Sequence, residues 1–240
     1  VTSCPVSESN DSVAILMSTI PWLGPDDPFP DPQTQADPDP DVPGLLAVSE
    51  RIFAGQLDRA YRNGIFPWYS NHQPVLWWSP DPRTVFDPST FKASRSLRQS
   101  VRNRGYETRI DADFPAVMRA CAAPRADGAG SWIGKEMIDA YTLLHRLGYA
   151  HSIETWLDGE CVGGLYGVRL EGVFFGESMY SRARDASKVA LVRLVEDCRR
   201  DGVGLIDCQM PTEHLASLGA LTLPRSEFLI RLRHLLGRTE

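Results

Sequence analysis

The 240-residue chain predicts an α+β fold, and three observations carry that expectation. Apolar residues recur at helical spacing through several segments before Gly148. A turn-punctuated, strand-like stretch then runs to Ser181, and a further helix and strand come after it. No run of 18 or more apolar residues occurs, and VAILM at 13–17 is too short for a spanning helix or a signal peptide, so the chain reads as cytosolic with no membrane partner.

Residues 1–43 are a poor core candidate. Prolines and aspartates dominate PWLGPDDPFPDPQTQADPDPDVPG, which favours extended, solvated chain. Met17 opens a plausible start, so 1–16 reads as an upstream extension. Residues 44–110 read as a small N-terminal domain. Its first helix, 50–63, turns Ile52, Leu57, Ala60 and Tyr61 inward and stops at Gly64; the Trp-rich IFPWYS and VLWWSPDPR read as proline-punctuated loops. A basic helix over 94–103 and a strand near 106–110 complete it.

Residues 111–240 read as the larger domain. Helices are expected over 112–123 and 134–147, the second with Met137, Ile138, Tyr141, Leu144 and Leu147 at helical spacing. HSIETWLDGECVGGLYGVRLEGVFFGESMYS then reads as an antiparallel meander with turns at Asp158-Gly159 and Glu171-Gly172. A helix over 185–202, the strand LIDCQ and a closing helix over 226–237 follow. This order is the α+β pattern of an N-acyltransferase domain.

Charge and cysteines narrow the partners. The net charge of −6 equals the six aspartates of residues 26–41, so the remainder is neutral overall. Within it, FKASRSLRQSVRNRGYETR concentrates six basic residues against Glu107 alone, and Arg95, Arg98 and Arg102 fall on one helix face. A solvated face is the plain reading of such a stripe, but no carboxylate at helical spacing neutralises it, which tilts it toward phosphates. The five cysteines are scattered without a CxxC pair, and the five histidines show no metal spacing, so neither a disulfide framework nor a metal is expected.

Chemistry concentrates in two places. LIDCQ sets Asp207 and Gln209 two positions apart, hence on one face of a strand, where an unpaired carboxylate is costly unless it is bonded into the fold or used in a cleft. Glu177 ends the apolar strand FFGESMY beside a glycine, with an ordinary exposed carboxylate as the plain alternative. His214 reads as structural. Trp68, Trp77, Trp78, Trp132 and Phe174 are core by composition, though tryptophans in Pro-rich loops resist full burial and some are expected to line a pocket. No phosphate-binding P-loop or dinucleotide fingerprint occurs, and SMYSRARDASK, where acyl-coenzyme A transferases carry a Gly-rich pyrophosphate loop, has none.

The strings AYRNGIFPWYS, VLWWSPDPR, SRSLR, GSWI, LGYAHSIETW, VGGLYGV, FFGESMYS, DASKVAL and LIDCQ, the last followed by HLASLGA, closely resemble in order the bacterial leucyl/phenylalanyl-tRNA–protein transferases from about Gly44 to the C-terminus. The resemblance implies an N-acetyltransferase-like (GNAT-type) larger domain. It implies transfer of Leu or Phe, less readily Met, from aminoacyl-tRNA to proteins with N-terminal Arg or Lys, marking them for N-degron proteolysis without an added cofactor. By the same resemblance Asp207, Gln209 and Glu177 are the catalytic residues, and Trp68, Trp132, Phe174, Met179 and Ile206 form the donor side-chain pocket. Arg95, Arg98 and Arg102 would bind tRNA. Asp207 would polarise Gln209, both facing a cleft that aligns the acceptor amine. Leu165 and Leu194 stand where some relatives carry Met and Phe, which bears on pocket size. The alternative is a non-catalytic tRNA or N-terminus binding module on the same fold.

Overall fold

The computed structural model describes residues 20–34, 42–70, 73–124 and 132–237. Two sheets organise them. The smaller has the order β1-β2-β4-β3 and consists of β1 (Trp22–Leu23), β2 (Leu45–Ser49), β3 (Phe66–Pro67) and β4 (Val75–Trp78), with α1 (Ala54–Arg62) between β2 and β3 in the chain. The larger has seven strands in the order β11-β5-β10-β9-β8-β7-β6. Its strands are β5 (Arg83–Phe86), β6 (Glu107–Ile110), β7 (Ala150–Leu157), β8 (Glu160–Leu170), β9 (Val173–Ser181), β10 (Leu205–Gln209) and β11 (Leu221–Leu223). The helices are α2 (Arg95–Asn103), α3 (Phe114–Cys121), α4 (Lys135–Arg146), α5 (Ala186–Arg200), α6 (Glu213–Ser217) and α7 (Arg225–Leu235).

The mixed α/β architecture agrees with the expected class, but the lobes divide elsewhere. β5 and β6, expected in a small domain ending at 110, are strands of the larger sheet. One apolar cluster runs from the small sheet through α1, α3, α4 and α7 to one face of the large sheet. Part of the Pro/Asp-rich segment also belongs to the fold: β1 pairs in parallel with β2, and Ile20, Leu23 and Val42 are buried. Residues 1–19 and 35–41 lie outside the described residues.

VLWW is a buried strand rather than a loop. Its tryptophans are fully enclosed because their polar handles are satisfied inside: the Trp77 indole donates to Ser49 Oγ at 2.9 Å and that of Trp78 to the Trp68 carbonyl at 2.7 Å. RTVF is likewise a fully buried strand, its arginine included.

A second cluster fills the opposite face of the large sheet, where Leu191, Leu194 and Val195 of α5 pack on Phe174, Leu165 and Ile206. α5 connects β9 to β10, the parallel pair in this sheet. That pairing spans only Leu205↔Val173, Ile206↔Phe174 and Asp207↔Phe175, after which the strands part. Each is bulged there. On β9, Tyr166↔Ser178 and Gly167↔Gly176 leave Glu177 as the extra residue, and on β10, Asp207↔Val85 and Gln209↔Thr84 leave Cys208. A bulge bends its strand and re-aims the side chains beside it.

Gly167 sits opposite the β9 bulge, and a Cβ there would collide with the Phe175 carbonyl and come within 2.5 Å of the Phe174 ring. Gly167→Ala is therefore expected to cost about 1–3 kcal/mol as overpacking and to disturb Glu177 with it. Chemical denaturation checks this, and an unchanged midpoint would show that the bulge tolerates a side chain.

Candidate active site

Glu177 is the most connected group at the parting. It is 7% exposed. Its Oε1 accepts from the Tyr61 hydroxyl at 2.7 Å and from Gln209 Nε2 at 2.8 Å, and its Oε2 accepts from the Tyr141 hydroxyl at 3.0 Å. The two tyrosine hydroxyls also touch each other in a short contact. They reach the site because α1 and α4 each turn a tyrosine inward at helical spacing, as the sequence predicts, though it gives no hint that they meet a carboxylate. Burial pushes the Glu177 carboxyl up to about 7; the three hydrogen bonds oppose that rise and the Asp207 charge adds to it. Burial first, and the Glu177 charge second, also hold both tyrosines neutral.

Asp207 is placed differently from the expectation. It has no exposed surface and does not line the cavity described below. Arg83 grips it in a two-pronged ion pair, Nε to Oδ1 at 2.8 Å and Nη2 to Oδ2 at 2.6 Å, with neither side chain exposed. The guanidinium lies between the rings of Phe66 of β3 and Phe228 of α7, 4.8 and 4.5 Å from their centroids. Asp207 meets Gln209 through the backbone, accepting its N–H on Oδ1 at 2.9 Å. Gln209 has φ 65°, a left-handed conformation unusual for a residue with a side chain. Thus the acid and carboxamide do not share a cleft-facing surface: the bulge breaks the alternation that the strand pattern implies. Asp207 holds the turn, and the Gln209 carboxamide points to Glu177. With Nε2 given to Glu177, the carboxamide oxygen is the remaining acceptor on that side chain.

The parting opens a cavity of about 140 Å³. Glu177, Ser178 and Met179 of β9 and Ile206, Cys208 and Gln209 of β10 line its gap. Beneath α5 its wall is apolar, built from Phe86, Leu165, Met179, Leu191, Leu194 and Ile206. On the side of the small sheet it meets Phe66, Pro67, Trp68, Trp132 and Tyr166. Of the five expected pocket residues, Trp68, Trp132, Met179 and Ile206 line this cavity. Phe174 is not among its lining residues; it is buried behind them, paired with Ile206 across the strands. Leu165 and Leu194, the two positions on which the resemblance bears for pocket size, both line the cavity. His214, read as structural, is on its wall, and burial with the nearby Lys188 holds its imidazole below the ordinary value.

Arg95, Arg98 and Arg102 are apart from this constellation, exposed on α2. Among the described residues no carboxylate pairs with any of them, and Arg98 donates to the Ala93 carbonyl at 2.6 Å. α2 is moored by Leu97, which is buried, and by Ser100, whose hydroxyl donates to Asp185 at 2.8 Å beside the start of α5. Among the described residues no cluster of three or more metal-ligating side chains occurs, and no helix is long and apolar enough to cross a membrane. Arg83, Tyr61 and Tyr141 are the site residues that sequence reasoning missed; Arg83 lies inside the quoted VLWWSPDPR, but only tertiary structure shows its partner.

A buried carboxylate of raised pKa, a carboxamide acceptor and an apolar chamber meet at the parting, and comparison with known proteins supplies the family. The model of the leucyl/phenylalanyl-tRNA protein transferases matches residues 85–233, and the model of their N-terminal domain matches 54–81. A leucyl/phenylalanyl-tRNA–protein transferase of Nitrosospira multiformis is 55% identical over 92% of this chain and 94% of its own. One of Chromobacterium violaceum is 55% identical over 89% of this chain and 91% of its own. Solved structures match only distantly, such as L-PGS from Bacillus licheniformis, with 15% identity, a TM-score of 0.40 and coverage of 81% of this chain and 74% of that one. The chain belongs to the leucyl/phenylalanyl-tRNA–protein transferase family. It is an aminoacyltransferase that moves an aminoacyl group from tRNA to protein.

The raised Glu177 pKa makes a stability prediction. A carboxyl at about 7 in the folded protein, against about 4.3 unfolded, contributes stability below the unfolded value that is lost as pH rises through 7. That loss is on the order of 3 kcal/mol. Glu177→Gln is expected to remove it, so that urea midpoints of the variant decline less than those of wild type between pH 5 and pH 8. Parallel curves would mean that Glu177 titrates normally.

Proposed function

We propose that this transferase takes Leu or Phe, and less readily Met, from charged tRNA and joins it to the α-amine of proteins beginning with Arg or Lys, marking them for N-degron proteolysis. The observation that carries the reading is the cavity at the β9–β10 parting. It has an apolar chamber on one side and the Glu177–Gln209 pair at its throat. The larger domain is read as GNAT-type on its element order: a meander, a helix and a parallel strand that splays from its neighbour.

The donor side chain enters the chamber under α5. Selection there is hydrophobic, and a single methylene is worth only about 1–3 kcal/mol, so one chamber admits Leu, Phe and Met. Leu165 and Leu194 set its depth. Trp68 and Trp132 line the donor cavity on the side of the small sheet, and the acceptor arrives at the Glu177–Gln209 throat. Its α-amine, with an ordinary pKa of about 7.7–8.0, donates one N–H to the Gln209 carboxamide oxygen, which aligns the nitrogen with the ester carbonyl. A carboxamide is too weak a base to hold the proton, and Asp207 is matched by Arg83 and shut away from the cavity. Glu177 takes it, as a carboxylate whose pKa of about 7 sits near the working pH of a general base. The new C–N bond forms as the C–O bond to the ribose 3′ oxygen breaks, and the proton held on Glu177 passes to that oxygen. The ester supplies the driving force without ATP. The negative charge of Glu177 also favours a basic acceptor residue.

Arg95, Arg98 and Arg102 present three exposed charges, paired with no carboxylate among the described residues, for tRNA phosphates, which position the donor without reading its bases.

Transfer of radiolabelled Leu from charged tRNA to a peptide beginning with Arg tests the reading. Gln209→Ala is expected to lower kcat at least tenfold at matched folded concentration. Replacing the three arginines by Ala is expected to raise the KM for charged tRNA and flatten its salt dependence while leaving kcat near wild type. Full activity of Gln209→Ala would remove the carboxamide from the chemistry, and an unchanged salt slope would place the tRNA elsewhere.

A further inference from the structure

The Arg83–Asp207 pair is the largest investment of buried charge in the described structure, and stability alone does not account for it. Two ions with no exposed surface have both lost their hydration, and an apolar pair of like volume is commonly as stable or more so. The guanidinium is moreover not fully satisfied by the fold: its Nη1 is buried with no hydrogen-bond partner. What the pair does have is a position. Arg83 lies on β5, directly beside β10, and its guanidinium is held between a ring of the small sheet and a ring of the last helix. The carboxylate it fixes has one further partner among the described residues, the backbone N–H of Gln209 at the left-handed bulge position.

We infer that Arg83 is a positioning residue for aminoacyl transfer: through Asp207 it locks the Gln209 backbone in the conformation that aims its carboxamide at Glu177. The coupling has a definite route. The two-pronged grip fixes both oxygens of Asp207, and Oδ1, shared between Arg83 Nε and the Gln209 N–H, fixes the turn. The turn directs Nε2 onto Glu177 Oε1 and leaves the carboxamide oxygen for the amine. Arg83 also ties this geometry to the packing of Phe66 and Phe228, so α7, whose Phe228 does not line the cavity, bears on the throat. Asp207 on this account is neither a base nor a polariser of the Gln209 side chain. The inference rests on the reading that Gln209 aligns the acceptor amine.

The experiment separates folding from transfer in the full chain. Arg83→Met with Asp207→Leu removes both charges and the acceptor for the Gln209 N–H but keeps the site packed. It is expected to melt at or above the wild-type temperature, to lose at least tenfold in kcat, and to keep the KM for Leu-charged tRNA within twofold. Arg83→Gln with Asp207→Asn, which also lacks charge but keeps an amide oxygen for that N–H, is expected to recover part of the lost kcat. Arg83→Lys, which retains the charge without the fork, is expected to fold and to lose several-fold in kcat at unchanged KM, and it decides the matter if the apolar pair does not fold. Wild-type kcat in a folded Met/Leu variant, or in Arg83→Lys, would overturn the inference. If Gln209→Ala itself transfers normally, the amine-aligning reading fails first; if that variant collapses while the Met/Leu variant stays active, only the role of Arg83 fails.

Discussion

Two parallel strands that pair for three residues and then part are the constraint on which the site depends. β9 and β10 are held together at Phe175 and Asp207, and beyond that point a bulge in each turns it from its neighbour. A sheet that continued its ladder would close the gap with backbone hydrogen bonds. Instead the gap is bridged by side chains, Gln209 Nε2 to Glu177 Oε1, and the cavity passes beside that bridge. The apolar chamber on one face and the tryptophans on the other meet only because the sheet is interrupted here. Gly167 permits the interruption on β9, where no side chain fits opposite the bulge.

The electrostatics follow from the same geometry. Glu177 is far enough inside for burial to raise its pKa to about 7, yet it is supplied with three donors that let it ionise. Asp207, only a short way along the neighbouring strand, is instead gripped by Arg83 at hydrogen-bond distance. In the proposed reaction the two carboxyls divide their labour: Glu177 exchanges the proton, and Asp207, ion-paired and enclosed, holds position. Tyr61 and Tyr141 belong to the first, Arg83 to the second.

Much of this was legible in the sequence, and the failures share a cause. The basic helix, the meander, α5, LIDCQ and the inward tyrosines follow from periodicity and turn residues, and the ordered motifs pointed to the family. VLWW and RTVF escaped because Pro-punctuated tryptophans and a strand arginine resemble loop, and only the partners Ser49, Trp68 and Asp207 explain their burial. Likewise Asp207 and Gln209 belong on one face by alternation, but one extra residue, Cys208, breaks it, and no local signal marks a bulge. Phe174 was placed in the pocket by the family resemblance, whereas it packs one layer behind. Long-range pairing, which a single sequence does not display, decided each of these.

The central claim is that Glu177, poised near neutrality at the parting, handles the proton of the acceptor amine. Single-turnover transfer rates for wild type and Glu177→Gln, measured from pH 5.5 to pH 8.5 with saturating Leu-charged tRNA and Arg-peptide, test it most directly, because their ratio cancels the titration of the amine itself. The account predicts a ratio that rises with pH and levels off with a midpoint at about 7. A ratio that stays flat across that range would contradict it and return the proton to solvent or to another group.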